Sequence, residues 1–233
     1  MTAIFVVFTF AFFVLLDVIV RKVRPRWVEA VQVAQTRGEL PGPQFALARV
    51  GVENFELPKG LFFHKGHTWA NLEASGRMKV GVDDFAQKIL GRFDRFKVRK
   101  VGERVKQGEK IFSVQQGKHS LSFTSPVDGI ISSVNEEVID DPQVVKENPY
   151  EAGWIYTVKP ADLARNIRQL TIAEDATAWL RNEVRNFRDF IAEQFVQDKL
   201  VGQTLQDGGL PVEGLMEHMD EFTWMRFQEE FLI

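Results

Sequence analysis

Residues 110–129 constrain the fold of this chain more than any other stretch, because they predict two short strands joined by a tight turn. Apolar and polar residues alternate on both sides of a turn that contains glycine, which is the pattern of a β-hairpin. The apolar positions are Ile111, Phe112, Val114, Leu121 and Phe123, and the turn is entered through Gln115-Gln116-Gly117. Lys118 follows and therefore occupies the tip of the predicted hairpin. A lysine held there can carry a covalently attached arm, or it can be an ordinary solvated turn residue.

The composition excludes several classes of function. The chain has 233 residues, 45% hydrophobic and 26% charged, which is typical of a globular protein with one or two domains. A net charge of -3 gives no electrostatic reason to expect nucleic acid as a partner. The sequence has no cysteine, which excludes disulfides and cysteine nucleophiles, and it shows no Gly-rich phosphate loop. We therefore predict no catalytic residue, no metal site at His64 and His67, and no enzymatic activity.

An apolar run at the start of the chain predicts a membrane anchor. Residues 3–20 are apolar except for Thr9 and Asp17, and a helix of this length nearly spans a bilayer. The basic residues of the flank, 21–26, all follow the run, so the positive-inside rule puts the rest of the chain in the cytoplasm. We thus expect the bilayer as a partner and a single-pass protein of the cytoplasmic membrane with its N-terminus outside.

The chain divides into segments that differ in composition and in the pattern of apolar residues. Residues 1–26 are the predicted anchor and residues 27–60, interrupted by Pro41-Gly42-Pro43 and Pro58-Lys59-Gly60, the predicted linker. From residue 61 onward, short apolar strands alternate with turns, which favours a small barrel or sandwich. One short helix is predicted after Asp83, with an aspartate able to cap its start, and an acidic loop is predicted over residues 136–141.

Linked motifs in this part of the chain resemble the H protein of the glycine cleavage system. They occur in matching order and spacing over residues 61–163: His67-Thr68-Trp69, Val80-Gly81-Val82-Asp83-Asp84-Phe85-Ala86-Gln87, Ser125-Pro126-Val127-Asp128-Gly129 and Asn148-Pro149-Tyr150-Glu151-Ala152-Gly153-Trp154. The resemblance implies a lipoyl-type flattened β-barrel, the barrel-sandwich hybrid. It also implies that Lys118 lies at the position that carries lipoate in the family. The family's pattern there, Glu-Ser-Val-Lys-Ala, reads Gln115-Gln116-Gly117-Lys118-His119 in this chain.

Residues 164–233 form a predicted helical extension. Thr171-Ile172-Ala173-Glu174 fits a capping box, and apolar residues then recur at steps of three and four up to Phe195, which predicts an amphipathic helix. The last segment, residues 215–233, carries apolar residues on more than one face. These helices either pack on the chain's own barrel or dock on another protein.

The predicted fold class is therefore α+β, with one N-terminal transmembrane helix, a lipoyl-type flattened β-barrel and C-terminal amphipathic helices. Two functions fit it. In the first, the chain is an accessory or adaptor subunit that docks onto a larger membrane protein complex. In the second, it is a lipoyl carrier, with lipoate on Lys118 moving acyl groups, aminomethyl groups or reducing equivalents between enzymes.

Overall fold

The computed structural model describes residues 50–197 and 213–232. Its strands are β1 (Phe62–His64), β2 (Thr68–Leu72), β3 (Met78–Val82), β4 (Arg95–Val98), β5 (Arg104–Val105), β6 (Lys110–Gln116), β7 (His119–Thr124), β8 (Gly129–Val134) and β9 (Trp154–Pro160). Its α-helices are α1 (Asp84–Leu90), α2 (Glu136–Asp140), α3 (Gln143–Glu147), α4 (Leu163–Asn166), α5 (Ala173–Gln197) and α6 (Glu221–Phe231). Short 3₁₀ turns occur at Val52–Asn54, Ile167–Gln169 and Leu215–His218.

The strands form two antiparallel sheets that share one apolar core. The larger sheet has the order β1-β2-β3-β9-β8-β5, and the smaller has the order β4-β6-β7. Tyr156 of β9 joins them, because its ring lies 6.2 Å from that of Phe112 in β6 and its hydroxyl donates to the Ile111 carbonyl at 3.4 Å. Most buried strand positions are apolar, with a few polar side chains such as Thr68 and Thr157 among them.

The predicted flattened barrel is wrong, because the described sheets do not close on each other. The outer edge of β1 pairs instead with Thr171, which exchanges two backbone hydrogen bonds with Phe63 at 2.8 and 2.9 Å. The outer edge of β7 is covered by Gln228 of α6, whose side-chain amide accepts from the Ser122 backbone at 2.5 Å and donates to it at 2.9 Å. Residues beyond Leu163 therefore occupy two edges that a barrel would have to join.

Local sequence signals explain where α1 begins and ends. Asp83 caps the helix, since its side chain accepts from the Ala86 amide at 2.9 Å. Gly91 follows the helix with φ of 82°, a conformation that glycine adopts without strain. This helix agrees with the sequence prediction.

The predicted amphipathic helix is present as α5, and both it and α6 pack on the chain's own domain. Phe187 of α5 lies 5.7 Å from Phe85 of α1 and 6.1 Å from Phe227 of α6. The apolar stripe of α5 is buried at Ala176, Leu180, Val184, Phe187, Phe190 and Ile191. The predicted capping box does not form at its start, because the Thr171 hydroxyl donates to the Phe63 carbonyl at 3.3 Å.

Part of the predicted linker also belongs to the core. Val50 and Phe55 are only 2% and 7% exposed, and the Phe55 ring lies 5.0 Å from that of Phe85. The remainder of that linker, up to residue 49, lies outside the described residues.

The predicted membrane topology has to be corrected. Within residues 50–197 and 213–232, no helix combines the length and the apolar character needed to cross a bilayer. The longest of them, α5, has 25 residues but carries charges along one face, at Arg181, Arg185 and Arg188 among others. On this finding, the predicted fold class with a transmembrane helix is wrong, and so is the predicted single-pass localisation in the cytoplasmic membrane. The apolar run at residues 3–20, which suggested both, lies outside the described residues.

Candidate functional site

The hairpin predicted around Lys118 is formed by β6 and β7. Gln116 pairs with His119, so Gly117 and Lys118 are the two residues of the loop. Gly117 has φ of 54°, whereas Lys118 is not among the residues with positive φ. Glycine with positive φ at the first loop position is the pattern of a type II′ turn, which matches the twist of the flanking strands. The glycine that departs from the family's pattern thus has a conformational reason.

The amide and the carbonyl of Gly117 are both hydrogen-bonded to side chains, which fixes the backbone from which the lysine side chain extends. The Gly117 amide donates to Asp94 Oδ2 at 2.6 Å, and Gln115 Nε2 donates to the Gly117 carbonyl at 3.3 Å. Asp94 is itself held by Arg92, with 3.0 Å between the guanidinium and the carboxylate. Lys118 therefore extends from an ordered backbone.

The amine of Lys118 is open to solvent. Its side chain is 75% exposed, and its Nζ lies 3.8 Å from Oε2 of Glu221, which is 82% exposed. An ion pair between two groups this exposed is worth little, because water screens it and both side chains lose rotamer freedom in making it. The structure thus presents the lysine at the tip of a bend, as the sequence predicted for its position in the hairpin.

Helix α6 lies against the same hairpin, a contact that the sequence did not reveal. The rings of His119 and Trp224 stack at 4.6 Å and are inclined by 3°. Between the hairpin and the helix lies a cavity of about 530 Å³, lined by residues 118–121 and by Phe222, Trp224 and Met225 among others. In the sequence, the signal for the α6 side of this cavity was the aromatic and methionine content of residues 215–233. That content does not indicate which surface the helix packs against.

The histidines near β1 and β2 are buried in the interior. His67 is fully buried, its Nδ1 lies 2.8 Å from Oδ2 of Asp83, and its ring stacks on Phe85 at 4.5 Å. Its Nε2 lies 3.9 Å from Glu183 of α5, and burial raises the pKa of that carboxyl. The side chains of His67, Asp83 and Glu183 thus connect α5 with the residues that precede β2 and α1. Because His67 and Asp83 are enclosed, this cluster has a structural role.

His64 accepts a hydrogen bond from the Gly66 amide through Nδ1 at 3.1 Å. Burial, with smaller contributions from the charges of Lys65 and His67, lowers the pKa of His64 to about 4. The imidazole is therefore neutral in the folded protein at neutral pH. Within the residues described, no group of three histidine, aspartate or glutamate side chains is arranged to hold a metal ion.

Comparison with known proteins places residues 61–183 in one family. The family model described as "Glycine cleavage H-protein" matches residues 61–183. The "Probable glycine cleavage system H protein" of Pyrococcus abyssi is 35% identical over 133 residues, which is 57% of this chain and 98% of that protein. The glycine cleavage system H protein of Methylococcus capsulatus is 42% identical over 118 residues, or 51% of this chain and 91% of that protein.

A solved structure, a glycine cleavage system H protein from Mycobacterium marinum, is 29% identical with a TM-score of 0.45, covering 50% of this chain and 93% of that one. The hairpin lies inside the segment matched by the family model, whereas α6 lies beyond its end. The helix that covers the hairpin is therefore part of this chain's extension.

Proposed function

The chain belongs to the glycine cleavage H-protein family, and from this premise we propose that it is a carrier protein with lipoate attached to Nζ of Lys118. The observation that carries the proposal is the presentation of this lysine at the tip of a two-residue turn, with 75% of its side chain exposed. An attaching enzyme has to reach the amine, and a carried arm has to leave the surface. Both requirements favour this position.

The residues around Lys118 fit such a modification. The amide forms when the neutral Nζ attacks the carboxyl carbon of lipoate activated by a separate enzyme; the nitrogen loses a proton, and the activating group leaves with its electron pair. The bond removes the charge of Lys118, and this disturbs little, since its one ionic partner in the described residues, Glu221, is itself largely exposed. The Asp94 and Gln115 bonds to Gly117 hold the backbone and remain available after modification.

The attached group would supply a dithiolane that accepts and releases carried groups and electrons, and the protein would supply position. The braced turn sets where the arm begins, and the two sheets behind it give the hairpin a rigid base. In this role the bonds of the substrate are made and broken by partner enzymes. We propose as partners the glycine cleavage enzymes: glycine decarboxylase, aminomethyltransferase and dihydrolipoyl dehydrogenase.

The adaptor function loses one of the features that suggested it, the free apolar faces of the added helices. The apolar faces of α5 and α6, which an adaptor would offer to a membrane complex, are largely buried against the chain's own core at Phe187, Phe190, Phe227 and Phe231. The carrier function needs an exposed lysine, and Lys118 is exposed. We therefore favour the carrier.

Intact-mass measurement of the full chain, purified from cells that lipoylate other proteins, tests the proposal. We expect a lipoyl mass increment that disappears in Lys118→Arg. The matched control is Lys110→Arg, at the base of the same hairpin, which should keep the increment. An unmodified mass in the wild type, or an increment that persists in Lys118→Arg, would contradict the assignment of Lys118.

A further inference from the structure

Two buried polar atoms beneath α5 have no hydrogen-bond partner among the described residues. One is Nε2 of His67, whose side chain is fully buried. The other is the indole N–H of Trp179, a residue of α5. The centroids of the two rings lie 5.1 Å apart, so both atoms belong to the same region of the interior. Since nearly all buried polar atoms in proteins are hydrogen-bonded, two such atoms side by side point to a partner that the chain itself does not supply.

Glu183 adds a third polar group to this region. It follows Trp179 by four residues, which puts both side chains on one face of α5. Its Oε2 lies 3.9 Å from Nε2 of His67, beyond the range of about 2.7–3.2 Å for a direct hydrogen bond. Its side chain is only 17% exposed, and burial raises the pKa of the carboxyl. The three groups therefore lie close together without bonding to one another.

The hydrogen-bonding capacities of these groups explain why they do not pair. The Asp83 carboxylate accepts from the Ala86 amide through Oδ1, and its Oδ2 lies 2.8 Å from Nδ1 of His67, which therefore donates. In the neutral imidazole, Nε2 is then an acceptor, and the Glu183 carboxylate is an acceptor as well. The indole of Trp179 only donates. A matching partner donates two hydrogen bonds and accepts one.

The backbone holds the imidazole in this place. His67 has φ of 55°, in the left-handed region that residues other than glycine rarely adopt. Its N–H donates to the His64 carbonyl at 3.0 Å, and its carbonyl accepts from the Asp83 amide at 3.1 Å. The ring stacks on Phe85 at 4.5 Å. A rarely adopted conformation that its surroundings maintain indicates that the orientation of this side chain matters.

We propose that His67, Trp179 and Glu183 bind one ordered water molecule, which joins α5 to the residue before β2. The water donates to Nε2 of His67 and to the Glu183 carboxylate, and it accepts from the indole N–H of Trp179. A water about 2.8 Å from Nε2 and from Oε2 fits between atoms that lie 3.9 Å apart. Three hydrogen bonds are typical of a buried water. A metal ion does not fit, because the indole presents a hydrogen and because the described residues offer no group of three ligating side chains.

Water contacts of the indole N–H groups, measured by NMR on the full chain with ¹⁵N-labelled tryptophan, test this site. The chain has five tryptophans, and Trp179→Phe identifies the signal of Trp179. We expect that N–H to show laboratory-frame and rotating-frame Overhauser peaks to water of opposite sign, the signature of a bound water. Trp69 is the control in the same spectrum, because it is fully buried and its indole N–H donates to the Pro149 carbonyl at 3.0 Å. It should show no such peak.

Substitutions of Glu183 test which groups hold the water. Glu183→Leu removes one acceptor and should reduce the water peak of Trp179 several-fold, whereas Glu183→Gln retains a carbonyl acceptor and should keep it. Glu174→Leu changes an exposed glutamate of the same helix and should leave the peak unchanged.

Three results would overturn the inference. The first is a wild-type spectrum without a water peak at Trp179. The second is an equal peak at Trp69, because general entry of solvent would then explain both. The third is a peak that Glu183→Leu leaves at full intensity. The site does not involve Lys118, so the outcome of the lipoyl mass measurement does not affect this test.

Discussion

The conformation of Gly117 makes a quantitative prediction about the hairpin that presents Lys118. Apart from its two chain neighbours, no residue has an atom within 4 Å of the place that a Cβ would take at Gly117, so replacement by alanine creates no clash with the rest of the protein. The local backbone conformation, with φ of 54°, remains unfavourable for an L-residue by about 1–2 kcal/mol. Alanine also lowers the entropy of the unfolded chain, which returns roughly 0.4–1 kcal/mol. We therefore expect Gly117→Ala to lower the free energy of unfolding by about 1 kcal/mol.

Urea unfolding of the full chain, followed by tryptophan fluorescence, measures this difference through the midpoint at unchanged slope. The neighbouring substitution Lys118→Ala is the matched control, because it lies in the same turn, is exposed and lacks positive φ. It should change the free energy of unfolding by less than about 0.5 kcal/mol. If Gly117→Ala is as stable as the wild type or more so, the turn does not require glycine, and the explanation for its presence fails.

Three further predictions concern the packing of α6 and the buried histidine. Gln228→Ala removes two hydrogen bonds to β7 and should lower the free energy of unfolding, measured in urea, by about 1–3 kcal/mol. The control is Glu229→Ala, which changes an exposed neighbouring residue and should leave the free energy of unfolding unchanged. In the same assay, Phe227→Ala removes a fully buried ring and should lower the free energy of unfolding by about 3–5 kcal/mol. Phe222 is half-exposed, so Phe222→Ala should lower the free energy of unfolding by less than about 0.5 kcal/mol. The pKa of His64 is about 4 in the folded state and 6.5 in the reference state, so the unfolded chain binds the proton first as pH falls and stability decreases between those values. The loss in the free energy of unfolding is about 3 kcal/mol and should be absent in His64→Gln when urea unfolding is measured across this pH range. The same pH dependence of stability in the wild type and in His64→Gln would contradict this prediction.

Short-range patterns were enough to predict much of the fold. The hairpin, the short strands after residue 61 and the capped helix α1 depend on neighbours along the chain, so alternation and capping signals predicted them. The acidic stretch 136–141 was predicted as a loop, yet α2 spans most of it. Val138 is fully buried there and anchors a helix whose charged residues face solvent.

The parts that could not be predicted depend on contacts between distant residues. The barrel prediction failed because Thr171 and Gln228 take strand edges more than a hundred residues away from them in sequence. The position of Lys118 at the tip of the hairpin was predicted from the turn. Its neighbours on α6 were not, since an apolar helix face does not specify the surface that it covers.

The two hydrogen bonds between Gln228 and Ser122 have a consequence for the behaviour of the protein in a crowded cell. A bare edge strand is a template for other chains, and β7 is such an edge in its sheet. The side-chain amide of Gln228 bonds the backbone N–H and C=O of Ser122 in β7, as a neighbouring strand would. It does so at the edge where a strand of another chain would pair. Loss of that residue should therefore favour self-association of the protein as well as loosen its last helix.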